Sequence, residues 1–349
     1  MSGLLTTRRV VLAVALVVVL LLPFVVGLYW LSTLVFVLIA AIGALGLDVL
    51  TGRTGQISLG HAFFLAIGAY VGGWIGADLH LTAALWIPAA AVIAGVVGGI
   101  VGPTALRLRG LYLAIVTLGL IYIGQHIFVN VPALTGGPGG RAFIDPAFGG
   151  FSFTNGVTIL GLSFDRNGLF YYLALLLLIL AMLFVHNLGR THAGRSMYAV
   201  RDGELAAAVL GVNVARTKVS AFVISSALAG VAGAMYGSYL TFAVPTDWNL
   251  ALSIEYVVMI VVGGMATLWG PVLGALFVIG LPALLQQVSG SSPLFGVLQP
   301  ADAAAIVYGV MLIVFLLLEP RGVVGVVERI TRLFQRNRQL QPDPAHGGP

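Results

Sequence analysis

Few residues of this 349-residue chain have types and spacings that could do chemistry. It has no cysteine, which excludes disulfides, iron–sulfur clusters and thiolate zinc sites. Its one lysine, Lys218, follows no glycine-rich run, so the chain has no phosphate-binding loop for ATP. It also has no nucleophile elbow and no histidine pair at metal-ligand spacing. The sequence thus predicts no enzyme, and no cofactor or metal bound by this chain.

The most distinctive polar segment is a basic stretch at about residues 188–218, between the sixth and seventh apolar runs. Within it, Asp202 is placed to cap a short helix, and Glu204 lies in its first turn, where the helix dipole favours an anion. Gly211 or Asn213 is suited to end that helix in a left-handed conformation. The segment therefore predicts a helix of about two turns.

The apolar residues of this short helix, at i, i+4 and i+7, are predicted to share one face; they are Leu205, Val209 and Val212. Two turns are too short to be stable alone in water. The helix either packs on the ends of the chain's own spans or is offered to a partner protein. In the second case the flanking basic residues, Arg201 and Lys218 among them, would face an acidic rim or lipid headgroups.

Four polar residues are predicted to lie within the membrane and could line a translocation path. Glu255, near the start of the eighth span, either meets a substrate ammonium there or is a packing residue near the outer end. Gln56, Ser58 and His61 either line an inner gate or bond to backbone groups freed by a broken helix.

The elements that must position these residues are membrane helices. The chain is 59% hydrophobic and only 8% charged, against about 25% charged residues in soluble domains. A spanning helix needs about 20 apolar residues. The sequence predicts ten spans, at about 10–28, 32–50, 57–76, 84–103, 111–130, 169–187, 218–240, 250–266, 271–289 and 301–318. The third contains Gly60 and His61 near its start and could be re-entrant or broken.

The distribution of basic residues orients these spans. Ten spans place all of the 17 Lys and Arg except Arg141 and Arg166 on the side of both termini, which the positive-inside rule identifies as cytoplasmic. The net charge of +5 therefore reflects topology and does not indicate nucleic-acid binding. We expect one permease-like domain at 1–334, an extracytoplasmic loop at 131–168 and a disordered cytoplasmic tail at 335–349. The loop could cap a pore entrance, dock a partner or simply pack on the helix ends.

Two glycine-rich turns at matching places, 50–60 and 262–274, form a weak internal repeat. In each, an apolar helix reaches the cytoplasmic side and re-enters as a glycine-spaced helix. Such interrupted segments often mark a translocation path, although cytoplasmic turns of any glycine-rich membrane protein look similar. Small residues four apart, at Gly95 and Gly99 and at Gly270 and Gly274, favour close helix packing.

Six stretches, in order along the chain, resemble the LivM-type permease subunits of bacterial ABC importers for branched-chain amino acids. They are Gly52 to Phe64, Leu106 to Gly119, Thr135 to Pro138, Val200 to Lys218, Ala221 to Ser225, and Gly263 to Ala275. The resemblance implies an all-α, type II-like importer permease in the bacterial inner membrane.

The resemblance also implies that Glu204, Ala207 and Gly211 form a coupling motif that sits in a groove of an ATPase subunit. The expected partners are a second related permease, two ATPases that bind ATP and Mg, an extracytoplasmic solute-binding protein and membrane lipid. Two positions depart from the family pattern, which has Asn at 48 and an aromatic residue at 53; here Asp48 and Arg53 could pair. Gly139 stands where the family often has Asp.

The function that these observations indicate is import of branched-chain amino acids. The binding protein largely selects the ligand in such systems, so urea or short amides, and then sugars, stay open as substrates. An autonomous secondary transporter is the alternative from another class. It would be expected to place coupling charges in mid-membrane, where this chain has few.

Overall fold

The computed structural model describes residues 19–108, 110–148, 151–159, 162–289, 306–310, 312–313, 317 and 322–325. Over these residues the protein is predominantly helical, and seven segments are long and apolar enough to cross a membrane. The expected all-α membrane class is confirmed. The first and tenth predicted spans fall mostly outside the described residues; inside them, residues 19–25 and 306–310 are helical.

From Leu28 to Ser289 the helices follow one another as α1 (Leu28–Leu47), α2 (His61–Gly73), α3 (Ala83–Val101), α4 (Thr104–Arg107), α5 (Leu111–Asn130), α6 (Pro132–Thr135), α7 (Arg166–Arg190), α8 (His192–Asp202), α9 (Glu204–Val209), α10 (Val214–Leu240), α11 (Leu250–Gly263) and α12 (Gly270–Ser289). Of these, α4, α6 and α9 are short, with four to six residues each. Helix α1 continues as a π-helical turn over Asp48–Gly52, and α2 continues as one over Trp74–Asp78.

The third predicted span differs most from expectation. Residues 55–60 are not helical, and the helix begins only at His61. Helix α2 is buried on nearly all sides and is not among the seven apolar crossing segments. The broken-helix interpretation therefore describes this segment better than a regular span from residue 57.

Helix α10 is the centre of the fold and packs against α1, α2 and α3. Small residues make this possible, because a carbon added at Gly233 would overlap the carbonyl oxygen of Leu65 on α2. At the α3 contact the tight position is Gly98, whose added carbon would overlap Ser226. Of the two glycines that the spacing favoured, Gly95 has ordinary contacts, and a carbon added at Gly99 would lie 3.3 Å from Val223, which is slightly too close.

The outer segment folds into three two-stranded antiparallel ladders. These pair β1 (Arg141–Ala142) with β6 (Phe242–Ala243), β2 (Ala147–Phe148) with β3 (Phe151–Ser152), and β4 (Val157–Ile159) with β5 (Leu162–Phe164). Arg166 ties the segment to α10, since it pairs with Asp145 at 2.8 Å and donates to the carbonyls of Ser238 and Tyr239. The described part of this loop is packed on the helix ends.

Candidate functional site: the coupling segment and its anchors

The short helix predicted in the basic segment is α9, six residues from Glu204 to Val209. The expected cap is wrong: Asp202 ends the preceding helix α8, and Gly203 stands at the N-cap in an extended conformation. Gly211 follows the helix with φ +84°, the left-handed conformation expected there. Asn213 instead caps α10, where its side chain accepts a hydrogen bond from the Arg216 amide at 2.9 Å.

The outer face of α9 is apolar and open. Leu205, Val209 and Leu210 are 77%, 88% and 80% exposed. Val212, predicted to share this face, is half-buried, and Leu210 takes that place. Ala207 is buried against the rest of the chain. Large apolar side chains this exposed at the end of a helix bundle are typical of an interaction surface.

An ion pair anchors α9 to the central helix. Lys218 Nζ lies 2.5 Å from Glu204 Oε1, and the lysine side chain is only 3% exposed. Lys218 belongs to the first turns of α10, so the pair joins the start of the coupling helix to the start of a membrane-crossing helix. The sequence indicated only a basic residue beside the short helix and did not predict this ion pair. The one available signal was that Lys218, the chain's only lysine, stands at the edge of an apolar span.

A cavity of 470 Å³ lies between α9 and the first glycine turn. Its lining includes Glu204, Lys218, Gly55 and Gln56. The Gln56 amide donates to the Lys218 carbonyl at 3.4 Å. Arg201, at the end of α8 and exposed, lies against the backbone of Gly55. The first glycine turn is thus in direct contact with the coupling segment.

The two glycine turns of the sequence repeat meet each other at Asp48. This carboxylate is fully buried and accepts a hydrogen bond from the Ala266 amide at 2.6 Å. Its other oxygen lies 3.4 Å from Arg53 Nε, and Arg53 also donates to the Val185 carbonyl of α7 at 3.0 Å. The possible Asp48–Arg53 pair therefore exists, and it joins α1, α7 and both turns.

Three of the four residues assigned to a path lie inside the chain's own core. His61 Nε2 lies 3.0 Å from the Gly43 carbonyl, Ser58 accepts from the Gly60 amide, and Gln56 is buried. These bonds favour the alternative in which they satisfy backbone groups around the broken helix. Glu255 is different, because it is exposed on the surface of the chain.

Comparison with known proteins identifies the family. Residues 29–316 match the family model described as the permease component of a branched-chain amino acid transport system. The chain belongs to this family. The match confirms the resemblance seen in the six motifs and makes this a multi-pass permease of the inner membrane, in a family of transport components and not of enzymes.

Two curated permeases show how far the similarity extends. The LivM permease of the high-affinity branched-chain amino acid transport system of Escherichia coli is 34% identical over 78% of this chain and 67% of its own length. Its counterpart in Salmonella typhimurium is 32% identical over 82% of this chain and 71% of its own length. The fructose import permease FruG of Bifidobacterium longum matches 44% of this chain at 30% identity. No solved structure matches.

Proposed function

We propose that this permease forms half of the translocation pathway of an ABC importer for branched-chain amino acids. A second related permease would form the other half, two ATPases would bind ATP and Mg, and an extracytoplasmic binding protein would deliver the substrate. The similarity to the two LivM proteins, over 78% and 82% of this chain, supports this substrate class; the similarity to the fructose permease covers 44% of it.

The observation that carries the proposal is the anchored, outward-facing coupling helix. Its open apolar face offers a partner protein Leu205, Val209 and Leu210. Its inner side is held by the Glu204–Lys218 pair, so a force on α9 acts directly on α10. The lysine side chain is 3% exposed, so separating the pair would remove part of the attraction that offsets the burial of its charge. ATP binding by the partner would then bias which of two pathway conformations is populated.

Substitution of Val209 by Asp tests this coupling. The side chain is almost fully exposed, so the change leaves the chain's own packing intact while placing a charge in the proposed apolar interface. We expect leucine uptake and co-purification of the ATPase to fall by about tenfold or more, as for a residue central to an interface. The measurement is uptake by cells with the complete importer, with membrane levels of the permease determined in parallel.

The matched control is Ala133→Asp, which adds the same charge at an exposed position of α6 in the outer segment. It should keep both uptake and ATPase binding. Normal uptake by Val209→Asp would remove α9 from the mechanism. Competition of leucine uptake by urea would reject the proposed substrate. Uptake by the permease alone, in liposomes without any ATPase, would reject ATP as the proposed energy source.

A further inference from the structure

Glu255 stands on the open face of a membrane-crossing helix. It lies in α11, within the apolar segment Pro245–Gly263. Ser253 and Tyr256 on the opposite face are buried in the chain, whereas Ile254 and Glu255 are exposed. At 1.5 Å per residue, Glu255 is about 8 Å along α11 from its outer end. It therefore faces outward from this chain at membrane depth.

Such a position is unfavourable in contact with lipid. A carboxylate at the centre of a membrane helix costs roughly 2.5–3.5 kcal/mol on insertion scales. Asp48, the other carboxylate deep in an apolar helical segment, is buried and paired with Arg53. Among the described residues, Glu255 has no hydrogen bond or ion pair of this kind. Its face of α11 is consequently one that water, substrate or another protein covers.

The surroundings of Glu255 combine one negative charge with apolar and aromatic groups. The rings of Tyr236 and Tyr308 lie close enough to its carboxylate to be affected by its charge. A branched-chain amino acid has the complementary chemistry, because it carries an ammonium group next to an apolar side chain. Urea and sugars carry no cation for this carboxylate.

We propose that Glu255 binds the α-ammonium group of the substrate as it passes the outer part of the pathway, and so selects for amino acids over neutral solutes. This inference rests on the proposed function, since it names how the same importer recognises its substrate. The Glu255 carboxylate accepts charge-assisted hydrogen bonds from the ammonium, and the aromatic rings beside it contact the side chain. A carboxamide at this position would lose the charge and keep the shape.

The test compares Glu255→Gln, Glu255→Asp and Ile254→Gln in the complete importer in proteoliposomes, supplied with leucine-loaded binding protein. Glu255→Gln should lower the initial rate of leucine uptake about tenfold, while ATP hydrolysis stimulated by the loaded binding protein persists, because the coupling segment is unchanged. Glu255→Asp should keep most of the uptake. Ile254→Gln adds an amide to the neighbouring exposed position without removing the charge, and it should transport at a rate near that of the native protein.

Several results would overturn this role. They are native uptake by Glu255→Gln, an equal loss in Glu255→Asp, and an equal loss in Ile254→Gln. If Glu255→Gln prevents assembly of the two permeases, the carboxylate pairs with the partner subunit and not with substrate. Uptake of leucine by the native complex separates this inference from the proposed function. If the native complex carries urea and no leucine, both are wrong. If the native complex carries leucine and Glu255→Gln carries it equally well, only the role of Glu255 is wrong.

Discussion

At the scale of single residues, two ion pairs organise the cytoplasmic end of this permease. Glu204 and Lys218 join the coupling helix to α10, and Asp48 and Arg53 join α1 to α7 and to the second glycine turn. Both side chains of the Asp48–Arg53 pair are buried, so each charge compensates for the other in a place that water does not reach.

Asp48→Asn should therefore destabilise the protein. It removes one charge of a buried pair and leaves Arg53, which is 5% exposed, without its counter-ion. We expect a loss of about 3 kcal/mol, as is usual when one partner of a buried pair is removed. The double variant Asp48→Asn with Arg53→Phe, which removes both charges, should recover most of that loss. Thermal unfolding in detergent, followed by tryptophan fluorescence, measures both.

The control is Asp78→Asn, which breaks the Arg141–Asp78 pair on the outer side. Asp78 is 46% exposed, and Arg141, which is 11% exposed, keeps its hydrogen bonds to the carbonyls of Ala133 and Leu134. A pair with one partner in solvent contributes about 0–1 kcal/mol. Its unfolding temperature should stay close to that of the native protein. Equal shifts for Asp48→Asn and Asp78→Asn would show that the buried pair has no special role in stability.

At the scale of elements, the fold depends on helices that approach at backbone distance. Glycines in α10 allow α2 and α3 to lie directly against it, and Gly274 of α12 lies against the Met259 carbonyl of α11 in the same way. In lipid, apolar side chains gain little from leaving the solvent, so close van der Waals packing between small residues is what holds such helices together.

Gly233→Ala tests this packing. The added methyl group would overlap the carbonyl oxygen of Leu65, a backbone atom that cannot move without shifting α2. We expect a fall in thermal stability equivalent to about 1–3 kcal/mol, the usual cost of overpacking. The same measurement on Gly119→Ala is the control, since nothing lies within 4 Å of a carbon added there; it should be neutral or stabilising by up to about 1 kcal/mol. Greater damage from Gly119→Ala than from Gly233→Ala would contradict the packing described here.

At the scale of the whole molecule, the coupling segment and the outer segment lie at opposite ends of the bundle. Helix α7 separates them, since it begins after the outer ladders and ends just before α8 and α9. The basic residues place α8 and α9 in the cytoplasm. This arrangement lets ATPase subunits act on one side while the binding protein delivers substrate on the other.

The absence of native cysteine makes this topology directly measurable. In intact spheroplasts that produce the permease without its ATPase partners, Ala133→Cys should react with a membrane-impermeant maleimide, and Val209→Cys should react only after the membrane is opened. Both side chains are exposed, so access and not burial decides the labelling. Labelling of Val209→Cys in intact spheroplasts would reverse the orientation.

The sequence alone determined the membrane class, the family and the place of the short helix α9, and it predicts the orientation. These follow from local properties: apolar runs of spanning length, the side on which arginines lie, and motifs read in order. They were accessible because lipid restricts a spanning chain to few structures. The left-handed Gly211 belongs to the same group, because a helix end is decided by the residues beside it.

Only the tertiary structure decided which distant residues meet. Nothing in the sequence places Asp48 against Ala266, Arg53 against Val185, or Lys218 against Glu204. It also decided that Asp202 ends one helix and does not cap the next, and that Gln56 and His61 are buried while Glu255 faces outward. In a chain that is apolar on nearly every helix face, hydrophobic patterning does not indicate which face of a helix is buried. The buried face is decided by where small residues let two helices approach closely, and this depends on how the helices pack.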